Sequence, residues 1–147
     1  IIMAEKSEMV KQIDFIIISR RIRLLGYVII AGLTLVYVVG MMVSSSNVNP
    51  EKSFLNTPIT IAGIVLCTSS IYIRKNMLKK VTKDNFVTTY FNAHVSAFIL
   101  CDMGALLSVT TNLFVNANLI MASVGVGVGL LYLWINFPRD EDRKLLD

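Results

Sequence analysis

Charged positions divide this 147-residue chain into a few long apolar blocks. No Asp, Glu, Lys or Arg falls within residues 24–50 or 53–73, and Asp102 alone interrupts residues 85–138. A helix needs roughly 20 mostly apolar residues to cross a bilayer. The first two blocks each hold one such helix, and the third holds two if it folds back on itself. The pattern predicts spans over about 24–43, 56–73, 87–114 and 119–137. Turn chemistry supports the same divisions. Ser44–Asn49 followed by Pro50 reads as a loop, and Asn56-Thr57-Pro58 reads as a polar cap followed by Pro in the first helical turn. Between the third and fourth spans lie only Val115, Asn116, Ala117 and Asn118, too short for anything but an antiparallel pair. Pro138 ends the last span. Before the first, residues 8–21 place Met9, Val10, Ile13, Ile16 and Ile17 at helical spacing, with Glu8, Lys11, Gln12 and Asp14 between them. The expected fold is therefore an all-α, polytopic membrane protein. It is one membrane domain over 1–147, with four transmembrane helices in two antiparallel hairpins. A short amphipathic N-terminal helix over 1–23 leads in, and a solvated charged tail over 138–147 follows.

Composition sharpens this reading. The chain is 54% hydrophobic and only 16% charged, with a mean hydropathy of +0.65, against about a quarter charged residues in a soluble domain. Its pI near 9.2 does not point to nucleic acid, because the basic residues flank apolar spans instead of forming a separate module. Thirteen of the fourteen Lys and Arg residues fall in the N-terminal segment, the 74–86 loop and the tail; only Lys52 lies on the other side. Arg20, Arg21, Arg23, Arg74, Lys75, Lys79 and Lys80 read as membrane-surface residues. By the positive-inside rule, both termini face the cytoplasm, or the equivalent side of an organellar membrane. The first apolar run is too long for a cleavable signal peptide, and acidic residues precede it. Cys67 and Cys101 both sit inside spans and provide no disulfide framework.

Few side chains could carry chemistry. Asp102 lies about halfway along the third span, near the bilayer midplane, where an ionised carboxylate costs about 2.5–3.5 kcal/mol or more. It either keeps its proton and hydrogen-bonds a neighbouring helix, or faces a partner or a watery crevice and handles protons or cations. His94, the only histidine, lies two turns away in the same span. Eight residues correspond to about 12 Å of rise and about 80° of rotation, so the two cannot touch directly. His94 lines up with Cys101, Ala105, Ser108 and Asn112 as a polar, small-sided stripe, which suits a helix contact face or a cavity wall. In the fourth span, Ala122, Gly125 and Gly129 share one face, and Ser123 and Gly127 form a second small pair. Small residues let helices approach closely in lipid, so these five are assigned to helix packing. No metal site is expected, since two cysteines and one histidine offer no tetrahedral set.

The segment Leu100-Cys101-Asp102-Met103-Gly104-Ala105-Leu106-Leu107 and the run Gly125-Val126-Gly127-Val128-Gly129 together resemble the helices of rotary-ATPase proteolipid c subunits. The likeness covers about residues 98–130. In that family the glycine helix precedes the carboxylate helix; here it follows. The resemblance implies a proton-carrying Asp102 in a ring protomer. Two other four-span families lack their signatures here: there is no C-x-x-C of the disulfide-generating quinone oxidoreductases, and no glutamate in the first span as in small multidrug transporters. The leading expectation is a non-enzymatic integral membrane subunit, packing against itself or other membrane subunits through the 122–129 small face. A proton or cation carrier using Asp102 is the alternative, and a membrane-embedded lipid-modifying enzyme is third. The expected surroundings are the lipid bilayer and other subunits, with no nucleic acid and no cofactor beyond a bound lipid.

Overall fold

A computed structural model of the chain describes residues 2–43, 49–115 and 118–146. Most of the loop expected at 44–49, and residues 116 and 117 of the short turn, lie outside the described residues. The rest is helical: α1 (Ile2–Val43), α2 (Asn56–Leu78), α3 (Phe86–Phe114) and α4 (Leu119–Ile135), with short 3-10 helices at Pro50–Leu55 and Asp140–Leu146. Among the described residues there is no strand. Three helical stretches, Glu8–Val43, Glu51–Leu78 and Phe86–Phe114, are long and apolar enough to cross a membrane. The 17 residues of α4 rise about 25 Å. With the tail helix, which bends away by 50°, α4 makes a fourth candidate.

α3 is the centre of the bundle and packs against α2, α4 and α1, whereas α1 and α2 scarcely meet. Pairwise contacts give the helix directions. Gly63 lies against Gly104 and Gly129 against Ala105, and Cys67 reaches Cys101, so α2 and α4 run antiparallel to α3. Phe15 meets Phe86 near the start of α3, and Gly40 meets Val109 near its end, so α1 runs parallel to it.

Sequence explains most of the element boundaries. Asn49, just before the first 3-10 helix, donates its backbone N–H to Val115 O (2.9 Å) and its side-chain amide to Phe114 O (3.1 Å). These bonds satisfy carbonyls that the end of α3 would otherwise leave bare. Pro50 then opens the first 3-10 helix, which runs straight into α2. The expected Asn56 cap is therefore not formed. The helix is already turning at Leu55, so Asn56 is an interior, buried residue. α4 does receive a side-chain cap, with Asn118 Oδ1 accepting from Met121 N at 3.2 Å.

Burial in α2 is inverted relative to a helix of a soluble bundle. The buried face of α2 is Asn56, Thr60, Gly63, Cys67, Ser70 and Arg74, spaced by four and three and free of any aliphatic side chain. Its apolar residues point outward, among them Ile61, Val65 and Tyr72. Polar and small residues inside with large apolar ones outside is the arrangement expected where lipid surrounds the helices, since no hydrophobic contribution then drives apolar residues inward. α1 differs from expectation in its lead-in. It is unbroken from Ile2 to Val43, and it docks on α3 through Phe15, Ile18 and Ile22, which are buried. The stripe Met9, Val10, Ile13, Ile16 and Ile17 is exposed.

The tightest packing lies between α2 and α3. A Cβ added to Gly63 would overlap the carbonyl oxygen of Gly104 and come within 3.2 Å of its carbonyl carbon. One added to Gly104 would overlap the Gly63 oxygen and sit 2.7 Å from Cys67 Sγ. Backbone cannot yield as a flexible side chain can, so Gly104→Ala should destabilise the fold by about 1–3 kcal/mol, the usual range for overpacking. Gly127→Ala should cost nothing measurable, because nothing lies within 4 Å of its Cβ position. Thermal unfolding of the two variants in the same mild detergent checks both statements.

Candidate functional site

Two polar features remain once the packing faces are assigned. The first is Asp102. It projects from α3 into a shallow cavity of about 190 Å³ toward α1, lined by Ile29, Gly32, Leu33, Val36 and Leu106. The carboxyl group is half-buried and makes no hydrogen bond or ion pair with any other described residue. Gly32 leaves a bare notch beside it, with nothing within 4 Å of its Cβ position. Asp102 thus places a polar group in an apolar recess without a partner among the described residues.

The second feature is a buried network at the end of the bundle where the basic residues collect. Tyr90, fully buried, donates its hydroxyl to Asp142 Oδ2 at 2.7 Å. His94 Nδ1 lies 2.9 Å from Tyr90 O. Since a carbonyl only accepts, that nitrogen carries the proton. His94 Nε2 therefore faces outward from the helix and lies 4.0 Å from Asp142 Oδ2. Deeper in, Asn136 Nδ2 donates to Ser70 Oγ at 2.7 Å and to Tyr132 O at 2.9 Å. Cys101 Sγ contacts Ser70 Oγ at 3.2 Å. Arg74 donates from Nη1 to Ile135 O at 3.1 Å, meeting one of the carbonyls left bare at the end of α4. Arg74 Nε, His94 Nε2 and Asn136 Oδ1 find no hydrogen-bond partner among the described residues. Such orphaned buried atoms cost about 1–3 kcal/mol each unless something fills the gap.

The tail closes this network. Arg139, Asp140, Glu141, Arg143 and Lys144 are exposed, as expected of a solvated charged segment, but Asp142 is half-buried and turns inward to Tyr90. Asp142 caps the tail by accepting from Arg139 N at 3.1 Å while accepting from Tyr90. Arg23 holds the approach through Pro138 O at 3.3 Å and Asp140 at 3.6 Å, and Arg143 lies over the Phe15 ring, 5.6 Å from its centroid. Phe15, Phe86 and Tyr90 form an aromatic wall behind Asp142, with Phe86 and Tyr90 stacked at 5.1 Å. The tail is ordered by specific pairs that its sequence, RDEDRK, does not advertise.

The sequence-derived residues fall into separate places. His94 and Asp102 are not brought together: His94 faces the tail network, and Asp102 faces the groove beside α1. His94, Cys101, Ala105, Ser108 and Asn112 are all buried along the face of α3 that meets its neighbours. Ala122, Gly125 and Gly129 are buried within the bundle. A Cβ on Gly129 would lie 2.6 Å from that of Ala105, and one on Gly125 would overlap Ser108. Ser123 pairs with Tyr37 of α1 at 2.5 Å, while Gly127 is exposed and touches nothing. Of the basic residues, Arg20, Arg21, Lys75, Lys79 and Lys80 are exposed. Arg74 is not a surface residue. It is 8% exposed, because it continues the four-and-three spacing of the buried α2 face one residue past the expected end of the span. Sequence reasoning passed over Tyr90, Ser70, Asn136 and Asp142; the regular polar stripe from Asn56 to Arg74 was the signal that a polar interior required partners. Among the described residues, no group of three or more His, Cys, Asp or Glu side chains could hold a metal ion.

No family model, curated protein or solved structure matches the chain.

Asp142 is the hinge of the tail network. Tyr90→Phe should remove one charge-assisted bond, worth about 1.5–3 kcal/mol, and leave the tail loosely held. Hydrogen exchange at residues 140–146 should then rise at least tenfold while exchange in the centre of α3 stays unchanged.

Proposed function

We propose that this chain is a small integral membrane subunit that associates with another transmembrane helix along the groove between α1 and α3, with Asp102 as the polar contact. In this reading all four helices cross the bilayer as two successive up-and-down pairs, with both termini on the cytoplasmic, positive side. The observation that carries the proposal is the midspan carboxyl group of Asp102, left without a partner among the described residues beside the open notch at Gly32. Facing hydrocarbon, an ionised group there costs about 2.5–3.5 kcal/mol or more. A hydrogen bond from a partner helix recovers about 1–2 kcal/mol, and the Gly32 notch lets that helix approach. Ala122, Gly125 and Gly129 of the α4 small face, first expected to mediate association, are already buried within the bundle, the two glycines against α3, so this reading moves the contact surface to the groove beside α1. The partner is a second copy or a different subunit, presenting a small or hydrogen-bonding residue at the depth of Asp102.

The proposal is tested by mass measurement of the protein extracted in mild detergent. Wild type should run as an assembly, whether a homo-oligomer or a complex with a co-purified subunit. Both Asp102→Leu and Gly32→Leu should lower the association constant at least tenfold, the first by removing the polar contact and the second by filling the notch. A monomeric wild type whose stability rises in Asp102→Leu would end this reading, since it would mean that the carboxyl group faced lipid all along.

One observation favours a second reading. Asp102 opens to the outside of the bundle instead of being locked within it, as a proton or cation carrier requires. Proton flux in reconstituted vesicles that disappears in Asp102→Asn, with assembly intact, would put the carrier ahead; unchanged flux would leave the packing role.

A further inference from the structure

We propose that the basic end of the bundle holds a binding site for a multiply charged phosphoryl group, independent of Asp102 and its groove. A cavity of about 520 Å³ lies between the N-terminal part of α1, the α2–α3 loop and the tail helix, lined by Glu8, Lys11, Gln12, Lys83, Arg143 and Lys144. That is the size range of small-molecule sites. Its four cations come from three segments that only the folded chain brings together.

Their state of pairing carries the argument. Among the described residues the ion pair between permanently charged groups is Arg23 with Asp140, and it involves no cavity cation. Lys11, Lys83, Arg143 and Lys144 thus converge on one concavity with no carboxylate of the described residues within 4 Å, and Glu8 is the only acid among the described lining residues. Cations gathered this way repel one another unless an anion joins them. Guanidinium and ammonium groups suit phosphate oxygens, the first as a fork and the second as a point charge, and Gln12 adds an amide donor. The adjoining cavity shares Lys11 and Lys83 but adds Asp14 and Asp84, which repel an anion and direct it to the first. Because Arg143 and Lys144 belong to the tail, a bound phosphoryl group also ties the tail to α1 and to the α2–α3 loop. The shared chemistry fits either a soluble phosphate ester or the headgroup of an anionic phospholipid.

The test uses the full chain in phosphatidylcholine nanodiscs at low salt. The variant replaces all four cations: Lys11→Gln, Lys83→Gln, Arg143→Gln and Lys144→Gln. If the source is soluble, calorimetry with inorganic pyrophosphate should show binding that weakens at least tenfold in the variant and falls as salt rises. If it is a headgroup, pyrophosphate should not bind. Native mass spectrometry from nanodiscs containing phosphatidic acid should then show the lipid retained by wild type and lost by the variant. Neither signal in wild type, or either one undiminished in the variant, overturns the proposal. Should the fourfold variant unfold earlier than wild type without ligand, Lys11→Gln with Lys83→Gln decides the matter. It leaves Arg143 on Phe15 and should still weaken binding at least threefold; no weakening in that pair overturns the proposal.

Discussion

The backbone contact between Gly63 and Gly104 sets the geometry on which the rest of the bundle depends. With no side chain on either residue, α2 and α3 meet main chain to main chain, each glycine against the other's carbonyl oxygen. One turn away, Cys67 lies against Cys101, its thiol directed at the Cys101 carbonyl. The next turn brings Ser70 against the Cys101 thiol and Asn136. A larger residue at the crossing would part the helices, and the hydrogen bonds farther along would lose their reach. Close packing does here what apolar burial does in water, because lipid is as apolar as the side chains it would replace.

That approach also explains why the interior tolerates so much polarity. Buried polar groups are stable only when paired, and pairs across helices require short distances. Ser70, Tyr90 and Asp142 meet that condition; Asn136 meets it through its amide nitrogen alone, and Arg74 in part through the carbonyl of Ile135. The network ends at the tail, where a single carboxylate on Asp142 joins Tyr90 to the start of the last 3-10 helix. The bundle end is therefore a built surface. Its four cations, from α1, the α2–α3 loop and the tail, surround a cavity, while the Asp102 carboxyl group midway along α3 remains open to whatever lies beside the bundle. The two features are separated by about half the length of α3 and draw on different chemistry.

Sequence patterning reached the helices but not their partners. The apolar blocks placed α3 at 87–114 against the observed Phe86–Phe114, and α4 at 119–137 against Leu119–Ile135, because long uncharged runs bounded by polar residues leave few alternatives. The face of α3 running from His94 to Asn112 was legible for the same reason: residues three and four apart share a side of a helix. Arg74 was misplaced because a cation at the end of an apolar run looks like a boundary whichever way its side chain turns. Asp142 was missed because a run of charges carries no periodic mark of which one will be buried.

What the amino-acid order determined by itself is the inventory: an all-helical chain with stretches long and apolar enough to cross a membrane, one acid at mid-helix, and small residues at intervals that permit close contact. These are local properties, settled by composition and spacing along one helix at a time. The tertiary structure alone decided that the α4 glycines are used against α3, that Asp102 looks outward past Gly32, and that the tail folds over His94 and Tyr90. Each of those depends on which faces meet, and a helical repeat tells a residue its side but not its neighbour.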